Sequence, residues 1–379
     1  MRPLENILVL DFSTLLPGPF ASLLLARAGA RVIKFERPGT GDEMRGYEPK
    51  FGDDGVNFSL LNEGKESIAI DLKAADTFER IKPLIERADI VIEQFRPGVM
   101  DRLKLGYADL KKLNKRLIYC AITGWGQTGP KAKIAAHDLN YMAESGILGL
   151  SAGKDGAPVL PPMLAADIAG GAYPALINIL LALRQRDLTG EGSYLDIAMG
   201  ENLLPFAYWG LGNGFGAGQW PGAGDALVTG GSPRYQIYTT ADGRHLAAAP
   251  LEDRFWTNFC ALIGLPDELR AACADPAVVK TSVADIIRRK SAQQWRDTFE
   301  GHDVCCSIVA TLEEAAGDEH FDARKTFERR LIVGNRSMPA LPSPVVRAFQ
   351  DAADGSPPPL GSHTEQLLRD RNIARNGID

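Results

Sequence analysis

Ile7-Leu8-Val9-Leu10-Asp11-Phe12-Ser13-Thr14-Leu15-Leu16-Pro17-Gly18-Pro19-Phe20 carries the chain from an apolar run, through a Pro/Gly connection, into the start of a helix. Further short runs follow at Arg31-Val32-Ile33-Lys34-Phe35, Ile68-Ala69-Ile70, Ile90-Val91-Ile92 and Leu117-Ile118-Tyr119-Cys120-Ala121-Ile122, with helical stretches between them. Strands that are apolar throughout and alternate with helices belong to a parallel sheet covered on both faces. The first two hundred residues therefore read as a doubly wound α/β domain. Backbone amides of the 11–20 connection are placed to meet an anion at the helix start. The connection is not a GxGxxG, which argues against a nicotinamide or flavin dinucleotide.

Outward from this region the pattern changes. Nine glycines between Gly210 and Gly231 are too closely spaced for regular secondary structure and mark a boundary. Beyond it, a strand pair about Thr239-Thr240-Ala241-Asp242-Gly243-Arg244 and helices at 255–263 and 292–299 form a smaller α+β domain. A Pro-rich passage at 339–359 leads to a short final helix. The expected division is a large domain over 1–205, a Gly-rich linker over 206–231, a small domain over 232–335 and a return segment over 336–379.

The chain has 379 residues, 45% hydrophobic and 24% charged, and a formal net charge of −6. That length supports full cores without disulfide staples. No block of Lys or Arg marks a nucleic-acid footprint, so a small-molecule partner is expected. The five cysteines are scattered, without metal spacing, and suit a reducing compartment. The expectation is a cytoplasmic protein with no secretory leader, no bilayer-spanning run, no metal site and no peroxisomal address at Asn376-Gly377-Ile378-Asp379.

Two segments carry the chemistry: Ala136-His137-Asp138-Leu139-Asn140-Tyr141 and Ala165-Ala166-Asp167-Ile168-Ala169-Gly170-Gly171. An imidazole and a carboxylate brought together can move a proton beside a carbonyl. The plainer reading of His137 is a histidine tying a loop to backbone, and that of Asp167 a helix N-cap. Cap and catalyst are compatible, because free N–H groups at the helix start after Asp167 could also hold a developing oxyanion. Arg37 and Arg96 each precede Pro-Gly at a strand end and leave the sheet at one edge, where forked donors suit phosphates; Lys65 and Lys73 add charge nearby. Glu252 stands at a helix start. His245, His302, His320 and His363 read as structural.

In order along the chain, Leu15-Leu16-Pro17-Gly18-Pro19-Phe20, Gly29-Ala30-Arg31-Val32-Ile33-Lys34, Phe95-Arg96-Pro97-Gly98-Val99-Met100, Thr123-Gly124-Trp125-Gly126-Gln127, Gly190-Glu191-Gly192, Thr240-Ala241-Asp242-Gly243 and Leu360-Gly361-Ser362-His363-Thr364 form a pattern. With them the chain resembles the family III CoA transferases (CaiB/BaiF), and within these the α-methylacyl-CoA racemases. The resemblance implies a Rossmann-like large domain whose parallel sheet is built from both chain ends, a small α+β domain, and an interlocked homodimer. It implies an acyl-CoA substrate, with no cofactor beyond the CoA carried in the thioester. Arg37, Leu61, Asn62, Lys65 and Arg96 would lie near its phosphates and adenine, and Ala136, Asn140 and Tyr141 would join the binding residues. His137 and Asp167 would be two bases on opposite faces of the thioester α-carbon, with Glu252, from its own or the partner chain, orienting His137, and Asp138 supporting the His137 loop or the thioester. Ala136 stands where the racemase pattern has glycine. In the transferases the position of Asp167 is a nucleophile that carries CoA between carboxylic acids. A catalytically idle acyl-CoA-binding dimer is the third reading.

Overall fold

The computed structural model describes residues 2–369 apart from Lys154, Ala272 and Ala352, so the C-terminal tetrapeptide lies outside the described residues. Six parallel strands form the main sheet: β1 (Leu8–Asp11), β2 (Arg31–Glu36), β3 (Glu66–Ala69), β4 (Ile90–Glu93), β5 (Ile118–Thr123) and β6 (Tyr194–Ala198). Their order is β3-β2-β1-β4-β5-β6. β1, β4 and β5 are buried on both faces, which accounts for their unbroken apolar sequences. The strand without a signal in the sequence is β6: Tyr194-Leu195-Asp196-Ile197-Ala198 is exposed at Tyr194 and Asp196, buried only at Ile197 and Ala198, and lies at the sheet edge.

Among the described residues, the sheet takes its strands from 8–198 alone, which corrects the expectation that both chain ends build it. The C-terminal segment returns to the edge strand through side chains. Thr364 Oγ1 accepts from Ala69 N–H at 2.9 Å, His363 Nδ1 accepts from Ser67 N–H at 3.2 Å, and Leu367 enters the core. The free backbone donors of β3 are thereby covered without a seventh strand.

Helix α1 (Pro17–Arg27) opens with proline in its first turn, where no N–H is needed. The expected anion position before it is occupied by the chain's own acceptors. Ser13 N–H donates to Asp11 Oδ1 at 2.9 Å, Leu15 N–H to the Asp42 carboxylate at 3.2 Å, and Gly18 N–H to Gln94 Oε1 at 3.1 Å. Beneath this turn Lys34 pairs with Asp42 at 2.9 Å and Lys65 with Asp11 at 3.3 Å, all four side chains sealed from water. Charges this deep are tolerable only because each is paired and hydrogen-bonded.

The chain divides into two compact units. The first comprises the described residues up to Ser145, then Met163–Pro205, and the chain from Glu319 onward; the second is Gly146–Pro162 with Phe206–Asp318. The expected bounds therefore shift: 146–162 leaves the large domain, and the small domain ends at 318 rather than 335. The second unit has its own core, including Trp256, Phe259, Val283 and Trp295, under a three-stranded antiparallel sheet. The strand pair and both helices expected there are present, as Gln236–Thr239 with His245–Ala248, and as Asp253–Ile263 and Ala292–Phe299.

The Gly-rich stretch is not irregular throughout. Tyr208–Ala217 is helical despite four glycines, each of which disfavours helix by about 1 kcal/mol. A Cβ on Gly214 would stand 2.4 Å from the Trp220 ring, so the glycine admits an indole against the helix, and packing overrides propensity.

One segment, Ala166–Thr189, is long and apolar enough to cross a membrane by composition, contrary to the sequence expectation. Nearly half of it is buried within the protein, and its Arg186 pairs internally with Asp89 at 2.8 Å. It packs against α1 as a core helix.

Candidate active site

The strand order reverses between β1 and β4, and in open parallel sheets ligands bind beyond the carboxyl ends of strands at such a reversal. A cleft of about 380 Å³ lies there. The loop after β1 supplies Leu15 and Pro17, the loop after β4 supplies Gln94 to Pro97, and β5 runs out into Thr123, Gly124 and Trp125. Leu15 holds φ +62°, a left-handed conformation that costs a branched residue about 1 kcal/mol or more. Its N–H bond to Asp42 holds it there.

His137 and Asp167, thirty positions apart in sequence, both line this cleft, together with Ala136, Asn140, Tyr141 and Arg96. His137 is the N-cap of helix α2 (Asp138–Glu144), where Asn140 Oδ1 accepts its backbone N–H at 3.0 Å. Tyr141 donates its hydroxyl to Ala136 C=O at 2.8 Å and pins the preceding loop. Burial first, then the nearby carboxylates, push the Tyr141 phenol up to about 12, so it remains a donor. A Cβ on Gly124 would fall 2.3 Å from the Tyr141 ring, so only glycine lets the β5 exit pass.

Asp167 is not an N-cap. It lies inside a wide, π-type turn (Ala166–Ala172) that continues into helix α3 (Tyr173–Thr189), with Ala165 before it already in helical conformation. Such wide turns recur at functional sites. Gly170 and Gly171 seat the turn on the end of β6: a Cβ on Gly170 would stand 2.5 Å from Met199 C=O. Asn202 Nδ2 donates to Gly170 C=O at 2.9 Å.

Asp138 joins the two segments. Its buried carboxylate accepts the Asp167 N–H at 2.9 Å, so one side chain ties the His137 helix to the Asp167 turn. Burial chiefly, and then the like charge of Asp138, raise the Asp167 carboxyl to about 6, partly opposed by His137. A carboxylate so destabilised takes up a proton more readily than an exposed aspartate.

The expected oxyanion donors at the helix start are engaged. Asp167 N–H is bound to Asp138, and Ile168 N–H donates to Leu164 C=O at 3.1 Å.

Of the residues expected near CoA phosphates, Arg37 and Arg96 are exposed cations beside clefts. Arg37 lines a second cleft of about 920 Å³ with Lys73 and Arg102, and Phe95 borders both clefts. Leu61, Asn62 and Lys65 are buried and line neither cleft. The Lys65 ammonium contacts Asp11, Pro19 C=O and Asn62 Oδ1. Buried Asp11 attracts that lysine across 54 positions of sequence, a pairing no local pattern discloses. Glu252 belongs to the second unit, exposed at the N-cap of Asp253–Ile263. Leu15, Gln94, Thr123 and Trp125 were not singled out as site residues. Their common signal is position: each follows or ends a strand at the carboxyl edge.

The family model described as CoA-transferase family III matches residues 4–364. The chain belongs to CoA-transferase family III. It is 33% identical over 382 residues to alpha-methylacyl-CoA racemase of Homo sapiens, an alignment covering 99% of this chain and 95% of that protein. It is 31% identical over 356 residues to acetyl-CoA:oxalate CoA-transferase of Acetobacter aceti, covering 90% and 88%. A crystal structure of a CAIB/BAIF family protein from Brucella suis superposes with a TM-score of 0.82 at 26% identity, covering 98% of this chain and 100% of that one. The chain is thus an enzyme of family III, a family that spans racemases and CoA transferases.

Proposed function

We propose that this family III enzyme racemises or epimerises 2-methylacyl-CoA thioesters by two-base 1,1-proton transfer through an enolate. The observation that carries this reading is the meeting of His137 and Asp167 in one cleft, with the Asp167 carboxyl raised to about 6. One group takes the α-proton and the other returns a proton from its own side; with the opposite enantiomer the roles exchange. Breaking the α-C–H bond leaves its electron pair to form a C=C bond while the carbonyl π pair moves to oxygen. A carboxyl raised to about 6 can give up and regain a proton under mild conditions, which suits both directions.

The CoA nucleotide lies along the 920 Å³ cleft beside Arg37, Lys73 and Arg102, and the acyl end reaches the 380 Å³ cleft past Phe95. Guanidinium groups at such a rim favour phosphates. Glu252, from this chain or from the second copy, fixes the His137 tautomer. Two copies interlock as a homodimer, a reading supported by the exposed apolar residues Ile177, Leu181 and Leu188 along α3.

A second reading has its own support, because relatives named CoA-transferases are nearly as similar as the racemases: succinyl-CoA:glutarate CoA-transferase of Homo sapiens is 31% identical over 98% of this chain. In it Asp167 is the nucleophile, passing through an acyl anhydride and then an enzyme–CoA thioester.

Incubation with (R)- and (S)-2-methylacyl-CoA in heavy water without an acceptor acid separates the two. Deuterium uptake with inversion from both enantiomers is expected, and His137→Ala should abolish it while CoA binding survives. No exchange, with a thioester at Asp167 trapped by hydroxylamine after incubation with acyl-CoA and CoA passed on once an acceptor acid is added, would overturn the racemase in favour of the transferase. Glu252→Ala with unchanged turnover and pH profile would remove the orienting role.

A further inference from the structure

The turn between β1 and α1 forms part of both clefts. Phe12 and Thr14 line the cleft of about 920 Å³, while Leu15 and Pro17 line the cleft of about 380 Å³ that holds His137 and Asp167. The wall of the larger cleft also includes Arg37, Pro38, Gly41 and Asp42, from the segment that follows β2. Asp42 joins these two pieces of chain. Its side chain is closed to water, and its carboxylate accepts the Leu15 N–H at 3.2 Å and pairs with Lys34 at 2.9 Å. Lys34 Nζ in turn donates to Ser13 C=O at 2.8 Å.

The two ends of this link are held differently. Arg37, Pro38, Gly39 and Thr40 are exposed. A Cβ on Gly39 would have nothing within 4 Å, and the turn is closed by the bond from Gly41 N–H to Arg37 C=O at 2.9 Å. At Asp42 the chain becomes fixed: its N–H donates to Glu36 Oε2 at 3.0 Å, and its carboxylate accepts Met44 N–H at 3.0 Å. At the far end Leu15 stands at φ +62°, a conformation that a branched residue keeps only where its surroundings enforce it. Asp42 supplies that enforcement from a segment that lines the other cleft.

We propose that Asp42 is a positioning residue through which the nucleotide end of acyl-CoA sets the cleft that receives the thioester. Phosphates gripped by Arg37 restrain the exposed 37–41 turn. Asp42, at the end of that turn, then holds Leu15 more firmly in its left-handed conformation, and the wall of the His137–Asp167 cleft keeps its shape. This role rests on the acyl-CoA reading of the two clefts and applies to either of its chemistries. Asp42 touches no substrate atom and acts through Leu15. Binding energy from a part of the substrate remote from the reacting carbon is thereby used for orientation, which raises kcat as well as affinity.

The test compares the wild-type enzyme with Asp42→Ala and with Lys34→Met/Asp42→Ala, which removes one buried charge of each sign and so guards against a single variant that fails to fold. α-Deuterium exchange, or acyl transfer if that is the activity, is measured on a 2-methylacyl-CoA and on the same acyl group carried by pantetheine, which lacks the nucleotide. Binding of adenosine 3′,5′-bisphosphate reports that each variant is folded and keeps the larger cleft. In the wild-type enzyme kcat should be at least about tenfold higher with the CoA thioester than with the pantetheine thioester. In the variants kcat with the CoA thioester should fall about tenfold, the factor expected when the left-handed restraint on Leu15 is lost. Pantetheine thioester turnover and bisphosphate affinity should each stay within about threefold of wild type. Equal wild-type kcat with the two thioesters, equal fold losses with both in the variants, or no loss with either, would overturn the role of Asp42 while leaving the proposed function standing. A wild-type enzyme inert in both exchange and transfer would overturn both.

Discussion

Replacing Asp167 with asparagine should make the protein more stable while making it inactive. Folding moves this carboxyl from 3.8 to about 6, because burial and the Asp138 charge disfavour its ionised form. A carboxyl raised on folding contributes fully below its unfolded pKa, and that contribution is lost as pH climbs through the folded pKa. Above pH 6 the ionised group costs ~3 kcal/mol relative to the unfolded chain. A neutral amide at this position bears no such charge, and the backbone N–H to Asp138 would be retained. Urea unfolding at about pH 7.5 should therefore favour Asp167→Asn by ~3 kcal/mol, narrowing to ~1.5 kcal/mol at about pH 5, where the wild-type group is mostly protonated. Turnover should disappear in either chemistry. Equal stabilities at the higher pH, or a margin that does not shrink on acidification, would refute the account of Asp167 as an electrostatically destabilised group.

Asp138→Asn keeps an oxygen for the Asp167 N–H but removes the like charge, so the acidic limb of the kcat/KM profile should move to lower pH; a stationary limb would deny the coupling. Lys65→Met should cost about 3–5 kcal/mol in denaturant titrations by leaving buried Asp11 short of a partner, with acyl-CoA affinity unchanged; a selective loss of CoA binding would restore Lys65 as a ligand. Gly124→Ala puts a methyl against the Tyr141 ring and should destabilise by about 1–3 kcal/mol while lowering kcat, checked by unfolding and exchange rates.

The strands β1, β4 and β5 were legible because a parallel strand buried on both faces is apolar along most of its length, a local property. His137 and Asp167 were legible for another reason: their residue types and flanking motifs carry chemistry wherever the chain puts them. Edge strand β6 was missed because its first half is largely exposed and Asp196 interrupts the apolar run. The Tyr208–Ala217 helix was missed because glycine content speaks only to intrinsic propensity, and Trp220 decides that case by packing.

The amino-acid sequence alone determined the alternating α/β class, the candidate acid and base, and the family pattern, since each is written in short segments. Only the tertiary structure decided which groups are available. Lys65 and Arg96 are equally cationic in sequence, yet one faces Asp11 inside the protein and the other stands exposed at the cleft. The same holds for backbone donors: the Asp167 N–H is already satisfied by the Asp138 carboxylate. Availability is a matter of which distant partner arrives, and strand order fixes that through space rather than along the chain.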